Sequence, residues 1–284
     1  MAILAANFFG CASTARVHEQ RIELPEGMQR LAVDVENFWG EVELRADRGR
    51  EGAAFVRAHV VTAWDADTEQ RAAVGERVEV DAYIEEQAPG MMVLRVRTDK
   101  QMRGQEHAVR LYIEVPRADG TRIVNQGGYV EVVGVRGATY IENRFGMIEL
   151  RTDHPLTEDL TILNTDGAIW VRIPPGSKGA FDLETMGGNS VLRDVSGDAG
   201  EVYATGPIFR TTLGDGTNRV LARTNSGDIR VSVMERPQAY SRLVKRTMPS
   251  VTDGMFLEGS RRSTRDLPDD AERENPATFQ GRRP

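Results

Sequence analysis

The chain has 284 residues, a net charge of −7 at pH 7, 40% hydrophobic residues, 28 glycines and one cysteine. Its apolar share is that of a globular protein, which excludes a wholly disordered chain. No apolar run approaches the ~20 residues of a membrane-spanning helix. The acidic balance argues against sequence-independent nucleic-acid binding. A lone cysteine rules out an internal disulfide framework, and no Cys/His spacing suggests a metal site. The length is that of about two domains. The glycine excess and the 6% aromatic content point to a turn-rich, all-β protein.

The first ten residues, MAILAANFFG, are apolar and uncharged, and Cys11 follows Gly10. This order reads as the end of a lipoprotein signal, with Cys11 as the lipidated residue and 1–25 as an export segment. The basic start of such a signal is missing. A cleaved ordinary signal and a terminus with an incidental buried thiol are the other readings.

Residues 26–120 read as a β-rich N-terminal subdomain. It contains VDVENFWGEVEL (33–44), AAFVRAHVVTAW (53–64), RVEVDAYI (77–84), MMVLRVR (91–97) and HAVRLYIEV (107–115), all with strand-like alternation. DADTEQRAAVGE (65–76) opens on Asp and is rich in Glu, Gln and Ala, so one short helix is expected there.

From residue 121 one pattern recurs: two apolar residues at alternate positions, then Asn or Thr, two variable residues, Gly, and two more alternating apolar residues. Copies lie at 33–44, 121–132, 139–150, 160–171, 181–192 and 220–231. Their corner pairs are Asn37 and Gly40, Asn125 and Gly128, Asn143 and Gly146, Asn164 and Gly167, Thr185 and Gly188, and Thr224 and Gly227. The glycine suits a corner with positive φ, and the Asn or Thr can hold local backbone groups. Stacked copies would let the Asn side chains bond one another. A further copy is expected between Gly188 and Gly227, with Val202 and Ala204 before its corner and Thr211 and Leu213 after it.

A unit of about 20 residues with two short strands cannot bury its own apolar face, so the copies must stack. The expected fold is a single-stranded parallel β-solenoid (a β-helix). Its repeats and C-terminal cap would span 121–257. The alternative is an antiparallel β-sandwich built from hairpins at the corners. Residues 258–284 are charged and poor in large apolar groups, and read as a disordered tail.

The run VRLYIEVPRADGTRIVNQGGYVEVVGVRGATYIENRFGMIELRT (109–152) resembles the "putative adhesin" family of bacterial cell-envelope proteins. The shared signs are an apolar strand ending in Val-Pro and the repeated Asn-x-x-Gly corners, over about 31–233. The resemblance implies a β-solenoid and no catalytic residues.

Among chemistry-bearing residues, the four histidines (His18, His59, His107 and His154) are scattered. Glu131 and Glu149 share an outward position in adjacent copies, at about one strand spacing of ~4.8 Å. A retaining glycosidase separates its carboxylates by ~5–5.5 Å. Arg151, Arg172 and Arg193 each follow their glycine by five residues, as does Arg45 in the first copy. A column of guanidiniums suits a polyanion such as a sulfated or uronic glycan. Trp170 is the accompanying aromatic candidate for a sugar contact.

The function expected from these residues is a non-enzymatic envelope protein, an adhesin-like scaffold or binding module. Its partners would be a glycan, an envelope protein or a second copy, with membrane contact only through a lipid on Cys11. No cofactor is expected. The alternative function is a carbohydrate-active enzyme acting on an anionic polysaccharide, and the alternative location is the cytoplasm.

Overall fold

The computed structural model is described for residues 13–46, 52–62, 76–100, 107–194 and 201–239. Cys11, the segment 240–284 and all of the expected helix 65–76 except Glu76 lie outside these residues. The N-terminal part supplies β1 (Ser13–Glu23), β2 (Arg30–Asn37), β3 (Val42–Arg45), β4 (Ala53–Thr62), β5 (Val78–Ala88), β6 (Met91–Lys100) and β7 (His107–Glu114). The repeats supply β8 (Thr121–Asn125), β9 (Val130–Val133), β10 (Thr139–Phe145), β11 (Ile148–Arg151), β12 (Leu160–Asp166), β13 (Ile169–Ile173), β14 (Gly179–Gly187) and β15 (Ser190–Asp194). They end with β16 (Glu201–Gly206), β17 (Ile208–Leu213), β18 (Arg219–Ser226) and β19 (Ile229–Val233).

The strands form two mixed sheets. Sheet A has ten strands in the order β1-β4-β7-β3-β9-β11-β13-β19-β15-β16, and sheet B has nine in the order β17-β14-β18-β12-β10-β8-β2-β6-β5. In each repeat the strand before the Asn-x-x-Gly corner lies in sheet B and the strand after it in sheet A. Alternation then puts one residue in two between the sheets. Ile123, Val130, Val132, Ile141, Ile148, Leu150, Ile162, Ile169, Val171, Leu183, Val220 and Ile229 are all buried in one continuous core. At ~25 cal/mol per Å² of apolar area, this burial is the main stabilising term.

The expected single-stranded parallel β-solenoid is corrected by this arrangement. The sheets are mixed, they do not close, and the strand order departs from the chain order. Pairing is parallel and in register from β2 to β18 in sheet B and from β3 to β19 in sheet A. It turns antiparallel toward both ends, at β1–β4, β4–β7 and β5–β6, and at β14–β17 and β15–β16. The antiparallel sandwich of hairpins is not observed either, because the two arms of each corner belong to different sheets.

The departure lies in the direction of β16 and β17. The segment expected to hold one more copy runs backwards: β16 lies in sheet A and β17 follows in sheet B. Its corner has Pro207 in place of the usual pattern, and proline has no N–H for a parallel ladder. Because β16 already runs antiparallel to β15 within sheet A, the chain crosses this corner from sheet A to sheet B, opposite to the other copies. β18 runs parallel to β14 again, and β18 and β19 insert between the β12/β13 and β14/β15 layers.

The corners stack in spatial order 40, 128, 146, 167, 227, 188. A Cβ on Gly40 would lie 2.2 Å from the Val109 carbonyl oxygen, and one on Gly128 would lie 2.3 Å from the Gly40 oxygen. The same contact recurs at Gly146 on Gly128 (2.4 Å), Gly167 on Gly146 (2.2 Å) and Gly188 on Gly227 (2.3 Å). All but Gly188 also have positive φ. Beside this column the Thr98 hydroxyl donates to Asn37 Oδ1, Asn37 Nδ2 to Asn125 Oδ1, and Asn125 Nδ2 to Asn143 Oδ1. Asn164, Thr224 and Thr185 bond corner carbonyls instead.

Gly146→Ala tests the column against Gly176→Ala, whose added methyl meets nothing within 4 Å although φ is +84°. In urea unfolding, Gly176→Ala is expected to cost about 1–2 kcal/mol for its φ alone. Gly146→Ala adds overpacking against backbone and is expected to cost about 2–5 kcal/mol.

Candidate functional site

The outward face of sheet A carries the chemistry singled out above. Because Val42, Leu44, Val130, Val132, Ile148, Leu150, Ile169 and Val171 point inward, their strand neighbours point out. The parallel register then aligns Glu43, Glu131, Glu149, Trp170 and Arg230 in one column. A second column, two residues further along each strand, holds Arg45, Val133, Arg151, Arg172, Ser232 and Arg193.

The two columns neutralise each other. Arg45 pairs with Glu43 and Glu131, Arg151 with Glu131 and, at 3.6 Å, with Glu149, and Arg172 with Glu149. The Tyr129 hydroxyl donates to Glu149. Trp170 is flanked by the guanidiniums of Arg172 and Arg230, each 5.7 Å from its ring centre. Glu131 is 2% exposed and Arg151 0% exposed, so this outward face is buried at its centre.

Burial pushes the Glu149 carboxyl up, but the Tyr129 hydrogen bond and the Arg151 and Arg172 charges outweigh it and hold Glu149 below the ordinary carboxylate range. The same burial and its carboxylate partner push the Tyr129 phenol well above its usual value. Glu149 is therefore a fixed anion at neutral pH. A glycosidase general acid needs the opposite shift.

Of the four expected binding residues, Arg151, Arg172 and Trp170 come together. Arg193 does not, because β19 separates β15 from β13 and places Ser232 between Arg172 and Arg193. The corner residues line the glycine column. Cys11 lies outside the described residues.

The outward face of sheet B holds a second charged centre. Asp34 receives Arg95, Arg97 and Arg122. Burial raises its carboxyl, yet the Arg97 and Arg122 contacts keep it below the ordinary range. Asp34 and Arg122 could have been placed together by aligning the 33–44 and 121–132 copies, but Arg95 and Arg97 lie outside the repeat. Among the described residues no group of three or more His, Cys, Asp or Glu side chains is placed to hold a metal ion.

No family model matches the sequence, and no curated protein matches it significantly. Among solved structures, the fold is similar to a "putative cell adhesion protein" from Clostridium sporogenes, with a TM-score of 0.50 and 12% identity over 76% of this chain and 99% of that one. A "putative adhesin" from Bacteroides fragilis aligns with a TM-score of 0.28 at 9% identity, over 76% of this chain and 97% of that one. A "putative lipid binding protein" from Parabacteroides distasonis aligns at 0.25 and 7%, over 76% of this chain and 96% of that one. The first likeness is one of fold; the other two are too distant to bear on the site.

Removing one member of a buried ion-paired set leaves its partner charged and unpaired, at about 3–5 kcal/mol. Arg151→Met is expected to lose that much in urea unfolding. The lowered Glu149 pKa also sets a pH dependence. Its contribution is complete above the unfolded value of ~4.3 and is lost as pH falls through the lower folded value. Thermal unfolding from about pH 5 to 3 should therefore show a steeper stability loss in the native chain than in Glu149→Gln.

Proposed function

We propose that this chain is a non-enzymatic, adhesin-like binding or scaffold module of the bacterial envelope. The observation that carries the reading is the state of its carboxylates. Glu149, Asp34, Asp119 and Asp182 each sit against arginines, and each is held below its ordinary pKa. In Asp119 and Asp182, as in the other two, burial acts upward and is outweighed by arginine contacts. Each is thus an anion braced by guanidiniums, suited to a rigid surface and unsuited to proton donation at neutral pH. This disfavours the carbohydrate-active enzyme.

The fold likeness to a cell adhesion protein supports an adhesin-like role. Envelope placement rests further on the sequence around Cys11, with lipidation of that residue as the anchor. The module would act by presenting ordered polar faces to glycans, to envelope proteins or to another copy.

Co-sedimentation with isolated bacterial envelopes, combined with a reducing-sugar assay, tests this. The chain is expected to sediment with the envelopes and to release no reducing ends above buffer. Turnover of envelope polysaccharide, or a chain that stays wholly in the supernatant, would contradict it.

A further inference from the structure

The reversed direction of β16 and β17 builds a feature that the repeats lack. Strand β14 runs between β17 and β18, so that Thr212 and Arg219 flank Ala180 in one row, and Arg210 and Leu221 flank Asp182 in the next. Phe181 and Leu183 point into the core, which turns Ala180 and Asp182 outward. The small Ala180 leaves a depression between its taller neighbours. Two strand spacings, ~9.6 Å, separate Thr212 from Arg219.

The loop 214–218 closes the end of this depression. Gly216 lies against Thr212, where a Cβ would meet its methyl at 2.6 Å. Asp215 accepts hydrogen bonds from Lys178 Nζ and from the Thr217 hydroxyl. Asn218 is tied at both ends: its carbonyl accepts from Ala180 N, and its Nδ2 donates to the Glu158 carbonyl. The wall is therefore preformed. The result is an open groove of about 600 Å³ lined by Ala180, Asp182, Arg210, Thr212, Thr217, Asn218 and Arg219, among others. That volume is within the ~300–1,000 Å³ of ligand sites.

Two arginines of the lining select a ligand. Arg219 is exposed, and its guanidinium forms no ion pair among the described residues. Arg210 is 68% exposed and reaches Asp182 through Nε at 3.1 Å, while Asp182 also accepts from Arg223. The one carboxylate in the groove is thus already held by two arginines. Asn218 is 6% exposed and forms part of the fixed wall of the groove. Guanidinium forks recognise carboxylates. The exposed Thr212 and Thr217 suit a polyhydroxylated molecule. We infer that this groove binds a carboxylate-bearing oligosaccharide, of the uronic-acid class, with its acid group on Arg219 and its hydroxyls toward Thr212 and Thr217. The inference rests on the binding-module reading and names its ligand class and place.

Isothermal titration of the whole chain with tri-galacturonate at low salt tests it, with galactotriose as the uncharged counterpart. Tri-galacturonate is expected to bind, and galactotriose at least tenfold more weakly. Arg219→Gln should weaken binding tenfold or more. Ala180→Phe, on the exposed face, should fill the groove and abolish binding, with an unchanged melting temperature as the check on folding. Arg193→Gln, an exposed arginine of the other sheet, should bind as the native chain does. Absence of tri-galacturonate binding, or native affinity in both Arg219→Gln and Ala180→Phe, would overturn the groove assignment. Envelope co-sedimentation that persists in those two variants would leave the binding-module reading standing while removing this site.

Discussion

The approach of each corner glycine to the carbonyl of the corner beneath it is the constraint from which the rest follows. At five of the six corners in the column, the place where a Cβ would sit is already occupied by an oxygen 2.2–2.4 Å away. No side chain fits there, so the layers can stack at one spacing and in one register. The Asn37, Asn125 and Asn143 amides run beside the column and satisfy one another and the corner carbonyls. Buried polar groups are costly unless paired, so these bonds favour one register over any slipped alternative.

Register then decides the chemistry of the faces. Because β9, β11 and β13 align residue for residue, Glu131 meets Glu149 along one column and Arg151 meets Arg172 along the next. Like charges side by side would repel. The diagonal pairs remove that cost: Arg151 takes Glu131, and Arg172 takes Glu149. The face is a cross-braced lattice in which Glu43, Glu131 and Glu149 each meet an arginine and Glu149 is held as an anion. Rigidity and the loss of acid–base capacity have the same cause.

Much of this was legible before the structure. The period-two alternation marked Ile123, Ile141, Ile162, Ile169 and Val231 as core, and all are buried. The corner positions were visible from the spacing of Gly128, Gly146 and Gly167. Two things were not legible, for different reasons. Parity assigns Glu131 and Arg151 to the outer face, but parity carries no information on whether that face is covered, and both are buried. The topology near residue 207 depends on the direction of a strand, and a strand reads the same in either direction. β16 and β17 therefore looked like one more copy, although they run opposite to the others. The displacement of Arg193 from Arg172 is a consequence of that reversal, as is the groove beside Ala180.

The corners are loops by sequence, with glycine and polar residues, yet their amides are hydrogen-bonded between layers: Gly40 to Gly127, Gly128 to Phe145, Gly146 to Asp166 and Gly167 to Ser226, at 2.7–2.8 Å. If the glycine column holds the two sheets in register, these amides open only when the whole molecule unfolds. Native-state hydrogen exchange tests this most directly. The amides of Gly40, Gly128, Gly146 and Gly167 should exchange with the same opening free energy as the core amides of Ile148 and Ile169. Exchange at these glycines as fast as at Gly52 or Gly176 would contradict the account.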